Sequence, residues 1–234
     1  MEFGTPDFWL ALGKIVWINI LLSGDNAVVI AMAARSLPAQ QQKKAIAIGS
    51  AAAIIMRILL TIVAVQLLTL PWLKLIGAVL LVYIGVTLLL GDDDNAGDGK
   101  DGHGTLGAAI RTILIADLVM SLDNVIGVAA AAKGSTLLLV LGLGISIPLV
   151  IFGSTILLKV IERFPAIVWF GAALLGFVAG EIAIDDPAIR QWVSNWAAGH
   201  GSTVEGLTLA CGIAGALLVL ALGKLFSLRR VKHA

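Results

Sequence analysis

The chain alternates long apolar runs with short polar connectors. The runs are close to the roughly 20 residues a helix needs to cross a bilayer. Seven stand out, at roughly 8 to 34, 45 to 68, 72 to 90, 106 to 132, 137 to 159, 166 to 184 and 206 to 227. SLPAQQQKK, TLPW, GDDDNAGDGKDGHG, KGS and ERFP punctuate them. None of the runs alternates with period two, so a β-barrel does not fit. Composition agrees: 59% of residues are hydrophobic and 13% charged, against about 25% charged in soluble domains, and mean hydropathy is +1.00. The expected class is an all-α integral membrane protein.

One run carries an interruption, SGDN at 23 to 26, and the interruption recurs. LLSGDNAVVIAMAAR at 21 to 35 aligns with VMSLDNVIGVAAAAK at 119 to 133, at a spacing of 98. Farther along, Pro71, Gly77 and Tyr83 align with Pro165, Gly171 and Phe177 at a spacing of 94. Each copy spans three runs, and an odd number of crossings makes the second copy enter from the opposite side. The predicted fold is therefore seven transmembrane helices: two inverted three-helix repeats, 8–90 and 106–184, and a C-terminal seventh helix with a basic tail over 206–234. An acidic linker, 91–105, joins the repeats, and a segment at 185–205 precedes the last helix.

Charge sets the expected orientation, because Lys and Arg accumulate on the cytoplasmic side. With the N-terminus outside, eleven Lys and Arg residues lie inside, and Lys74, Lys133 and Arg190 are the three outside. The C-terminus is then cytoplasmic and so is the linker. MEFGTPDFW lacks a basic leader region, so the run from Phe8 is expected to be retained as the first span. The linker's aspartates fail the EF-hand spacing and read as a solvated connector. In the outer segment Asp186 suits a cap and Pro187 a first helical turn. Ile189, Trp192, Val193 and Trp196 form an apolar stripe for the membrane interface.

Polar residues inside the runs carry the candidate chemistry. Asn19, Ser23 and Asn26 are spaced i, i+4, i+7, and Asp117, Ser121 and Asn124 repeat that spacing in the second copy. Asp25 and Asp123 lie beside these stripes, about 100° from the asparagine that follows each. Gly24 allows the first helix to unwind locally, a freedom Leu122 denies the second copy. A carboxylate at mid-bilayer costs roughly 2.5–3.5 kcal/mol and usually marks an ion or proton pathway. The plain structural alternative is that Asp25, Asp117 and Asp123 pair with Arg57 or with the neighbouring hydroxyls and amides to lock the bundle. As a ligand set these residues offer oxygen only, which suits hard ions such as Mg²⁺, Ca²⁺ or Mn²⁺. Arg57, mid-way along the second run, reads either as a tether for an aspartate when the ion is absent or as a snorkelling or fixed structural residue. Glu181 reads as an interfacial carboxylate or a proton-coupling one.

Other classes fit less well. The net charge of +1 argues against a nucleic-acid partner, and the single cysteine, Cys211, excludes an intrachain disulfide. No catalytic motif of an enzyme lies within the runs, no cofactor is expected, and the last run has no central lysine for a retinal Schiff base. The lipid bilayer and a divalent cation are the expected partners, with room left for a homo-oligomer.

The paired motifs LSGDN and SLDN, in the first and fourth of seven runs, resemble those of the TerC family, named for tellurium resistance, within the lysine exporter-like superfamily. The resemblance covers about Phe8 to Leu228. It implies manganese export across the inner membrane, with Asp25, Asn26, Asp123 and Asn124 at the ion-binding positions and Ser23 and Ser121 beside them. One position departs: where many relatives carry a glutamate shortly before the first motif this chain has Asn19, while the second copy offers Asp117. The alternative function is a membrane scaffold that assists insertion or metal loading of partner proteins without transport.

Overall fold

The computed structural model describes residues 5–21, 24–67, 69–91, 105–132, 135–199 and 202–231. Ser23 and linker residues 92–104 lie outside the described residues, as do a few side chains within the helices, among them those of Asn19 and Asp123. The described residues form nine helices and no strand: α1 Pro6–Leu21, α2 Gly24–Ala34, α3 Ala39–Leu67, α4 Leu73–Leu90, α5 Leu106–Ala132, α6 Thr136–Arg163, α7 Ala166–Ile184, α8 Arg190–Gly199 and α9 Val204–Val231. Five of them, α3, α4, α6, α7 and α9, are long and apolar enough to cross a membrane. α5 is not among the five; Arg111, Asp117 and Asp123 lie along its 27 residues.

Helix starts follow local chemistry. Thr5 accepts the Phe8 N–H at 3.3 Å with Pro6 in the first turn, and Thr105, Ser135 and Thr203 likewise accept the N–H three residues on, from Ala108, Leu138 and Gly206. α6 continues through Pro148, which cannot donate to the carbonyl of Gly144.

In the first run the described residues are helical over α1, of 16 residues, and α2, of 11; residues 22 and 23 between them lie outside the described residues. α2 carries Gly24 and Asp25 at its first described residues, and the backbone N–H of Asn26 donates to the Asp25 carboxylate at 2.8 Å. In the second copy α5 runs unbroken through Leu122.

The helices gather into two compact units that cut across chain order. The first joins Met1–Val65 to Thr105–Val160, and the second joins Gln66–Gly104 to Ile161–Ala234. Each draws on both of the expected repeats. In the first, α1 and α2 pack on α5, and Phe8, Ile15, Ile54, Val128, Leu138 and Leu143 form an apolar core. α2 is buried on every side from Asn26 to Ala34, as expected for a helix inside a bundle. In the second unit α4 packs on α7 and both pack on α9. α7 and α9 approach so closely that a Cβ on Gly180 would collide with the carbonyl of Cys211, and one on Gly215 with that of Gly176.

A carboxylate organises one end of the second unit. α4 begins after Trp72, whose φ of 71° is the one positive value among described non-glycine residues, and no local side chain caps the helix. Asp186, fully buried, does so from the connection between α7 and α8. It accepts the N–H groups of Trp72 (2.9 Å), Lys74 (3.0 Å), Leu75 (3.1 Å) and Ala188 (2.8 Å). Its expected role at the start of its own segment is thus mostly spent on α4, and regular helix resumes only at Arg190. Lys74, read from sequence as a loop charge, is buried and pairs with Asp185 at 2.6 Å. Burial raises the Asp186 pKa, and the four N–H donors outweigh it, leaving the carboxyl below its ordinary value.

Asp186→Ala strands these donors and should lower stability by about 3 kcal/mol, read as a lower unfolding midpoint in detergent. Because the folded pKa is depressed, the carboxylate's contribution is complete above about pH 4, the unfolded value, and is lost as pH falls through the folded value. The loss between those two values should vanish in the variant. Gly180→Val should cost about 3 kcal/mol in the same assay by forcing α7 from α9.

Candidate functional site

The polar residues of the first unit meet around a buried guanidinium. α3 carries Arg57 in an otherwise apolar stretch, and the residue is only 2% exposed. Its Nη2 donates to Asp117 Oδ1 at 2.5 Å and its Nε to Ser121 Oγ at 2.9 Å. Ser121 donates in turn to Asp117 Oδ2 at 3.2 Å. Asp117 and Ser121 are one turn apart on α5, so a continuous helix presents both to the same partner. Thr61, a turn after Arg57, donates its hydroxyl to the Arg57 carbonyl at 2.7 Å. The ring of Arg57, Ser121 and Asp117 therefore engages both oxygens of the carboxylate. This is no snorkelling side chain: Arg57 stays inside and pairs.

Beside it lies a cavity lined by Asn26 and Ile30 of α2, Ser50, Ala53, Ile54 and Arg57 of α3, Asp117 of α5 and Val150 of α6. It leaves about 10 Å³ for the centre of a water-sized body, room for a single water or a small ion. Ser50 and Ser154 are fully buried, and neither hydroxyl has a hydrogen-bond partner among the described residues. Ser50 faces the cavity, seven residues before Arg57 on the same side of α3. Asp25, half-buried in the first turn of α2, precedes Asn26 in the chain.

The structure thus brings together Asn26, Arg57, Asp117 and Ser121, with Asp25 nearby. Asn124 is half-buried farther along α5. Ser23 and the side chains of Asn19 and Asp123 lie outside the described residues. Glu181 is half-buried on α7, in the second unit. Among the described residues no three His, Cys, Asp or Glu side chains converge as a metal-holding group would; the cavity lining offers the carboxylate of Asp117, the amide of Asn26 and the hydroxyl of Ser50. Sequence reading missed Ser50, although its i, i+7 spacing to Arg57 was available to it.

Apolar helices with a charged, hydrogen-bonded cluster buried among them define an integral membrane protein. The chain belongs to the TerC family: the profile of the "Integral membrane protein TerC family" matches residues 4–231. It is 42% identical to the "Uncharacterized membrane protein YjbE" of Bacillus subtilis (strain 168) over 86% of this chain and 89% of that one. It is 26% identical to "Uncharacterized membrane protein YceF" of the same organism over 76% and 72% of the two chains. With the "UPF0053 inner membrane protein YoaE" of Escherichia coli (strain K12) it shares 34% identity over 54% of this chain and 28% of that protein. No solved structure matches significantly.

Removing one member of a buried ion pair leaves a bare charge, typically 3–5 kcal/mol of instability. Asp117→Ala should therefore lower the unfolding midpoint sharply. The double variant Arg57→Met with Asp117→Leu, which leaves no charge behind, should recover most of the loss.

Proposed function

We propose that this protein exports a divalent metal cation, Mn²⁺ foremost, across the inner membrane. The observation that carries this reading is the small buried cavity whose lining combines a carboxylate, an amide and a hydroxyl, Asp117, Asn26 and Ser50, within apolar helices. Hard divalent ions take oxygen ligands of these kinds, whereas zinc and copper sites favour imidazole and thiolate. The proposed ion site comprises Asp25 and Asn26 on α2 and Asp117, Ser121, Asp123 and Asn124 on α5, with Asn19 and Ser23 beside them.

The recurrence of the Ser, Asp and Asn spacing in the two copies supports transport over simple packing, since a site shared between inverted repeats is a transporter arrangement. In this reading 8–90 and 106–184 are the two repeats, and rocking of the helices exposes the site alternately to either side. Protons return in exchange for metal. The choice of manganese and the outward direction rest on the family resemblance, and the placement of the N-terminus outside rests on the Lys and Arg distribution.

Reconstitution in liposomes with an entrapped metal-sensing dye tests the reading. Intact protein should carry Mn²⁺, and Asp25→Asn and Asp123→Asn should each cut the flux at least about tenfold, the loss of roughly 1.4 kcal/mol of ion interaction. Undiminished flux in both variants would remove these residues from the site. Absence of any divalent flux through intact protein would overturn the transporter reading in favour of a scaffold.

A further inference from the structure

The cavity already holds a cation of its own. We propose that the Arg57 guanidinium is the resident competitor of the transported ion, seated on Asp117 whenever no metal is there, so that metal enters by displacing it. This rests on the transporter reading above and adds to it the residue that sets how tightly the site binds.

The geometry separates this role from that of a simple packing bridge. A guanidinium fixed only for structure would be expected to leave its surroundings satisfied. Here Ser50, 0% exposed and on the same cavity wall, has no partner for its hydroxyl among the described residues. A buried hydroxyl left that way carries its desolvation cost uncompensated. With the guanidinium docked on Asp117 and Ser121, the Ser50 oxygen lines the same cavity. A metal ion in the cavity would reach that oxygen together with the carboxylate that the guanidinium now covers. Both states satisfy Asp117, and only the metal-bound one employs Ser50.

While the site is empty the guanidinium keeps Asp117 from standing as a bare charge in an apolar interior, a state that costs several kcal/mol. The same interaction weakens metal binding, because each arriving ion must first break it. An exporter gains from this: tight capture without a competitor would hinder release on the far side.

The prediction runs opposite to that for a structural residue, whose removal weakens a site. Purified full-length protein in detergent is titrated with Mn²⁺, and free ion is followed by its electron paramagnetic resonance signal. Arg57→Gln should bind Mn²⁺ about tenfold or more tightly than the parent, the equivalent of 1.4 kcal/mol of competition removed. Arg57→Lys should fall between them, since an ammonium cannot hold Asp117 and Ser121 in the same fork geometry. Millimolar methylguanidinium should return Arg57→Gln towards the parental affinity and leave the parent unchanged. If both variants bind Mn²⁺ as the parent does or more weakly, the competitor role is overturned while the transporter reading stands. If neither the parent nor the variants bind Mn²⁺, the transporter reading falls and this inference with it. Should Arg57→Gln fail to fold, Arg57→Lys, which keeps the charge, decides the matter by the same comparison.

Discussion

A carboxylate in an apolar interior must be neutralised where it stands, and the contact between Asp117 and Arg57 does that for the first unit. The elements around it are shaped by this need. α5 stays continuous through position 122, which holds Asp117 and Ser121 one turn apart and lets a single guanidinium reach both. α3 brings Arg57 to the same level and presents Ser50 two turns earlier. α2 brings Asn26 into the wall of the same cavity. Without the ion pair, α5 would bury an uncompensated charge.

The second unit solves a similar problem with backbone in place of a charged side chain. Asp186 gathers N–H groups from the start of α4 and from its own segment, and the neighbouring Asp185 neutralises Lys74. Elsewhere the unit relies on small residues, with Gly176 and Gly180 on α7 meeting Gly215 and Cys211 on α9 at backbone distance. One unit thus concentrates its polar groups around a cavity, and the other keeps them at a helix end.

What the sequence discloses is what has a local period. The run at 106 to 132 coincides with α5, and those at 72 to 90 and 166 to 184 lie within a residue of α4 and α7, because apolar length and flanking turns fix helices of this kind. The stripe of Asp117 and Ser121 was also legible, since i and i+4 on a helix always meet. Its pairing with Arg57 was one of several alternatives that the sequence left open. Arg57 lies 60 residues from Asp117 and Asp186 lies 114 from Trp72, and no periodicity reports a contact made by tertiary packing. Lys74 illustrates the cost of local reading: counted as a loop charge, it is buried because an aspartate more than a hundred residues later meets it.

The distance between Trp72 and Asp186 has a consequence for how the chain is made. At a synthesis rate of about 5–20 residues per second, the first turn of α4 leaves the ribosome roughly ten seconds before the carboxylate that caps it. During that interval the N–H groups of Trp72, Lys74 and Leu75 have no partner of their own chain, and hydrocarbon offers none. Water must serve them in the meantime. The start of α4 is thereby held at a hydrated level of the membrane while the rest of the protein is still arriving, and Asp186 then replaces the water and closes the junction.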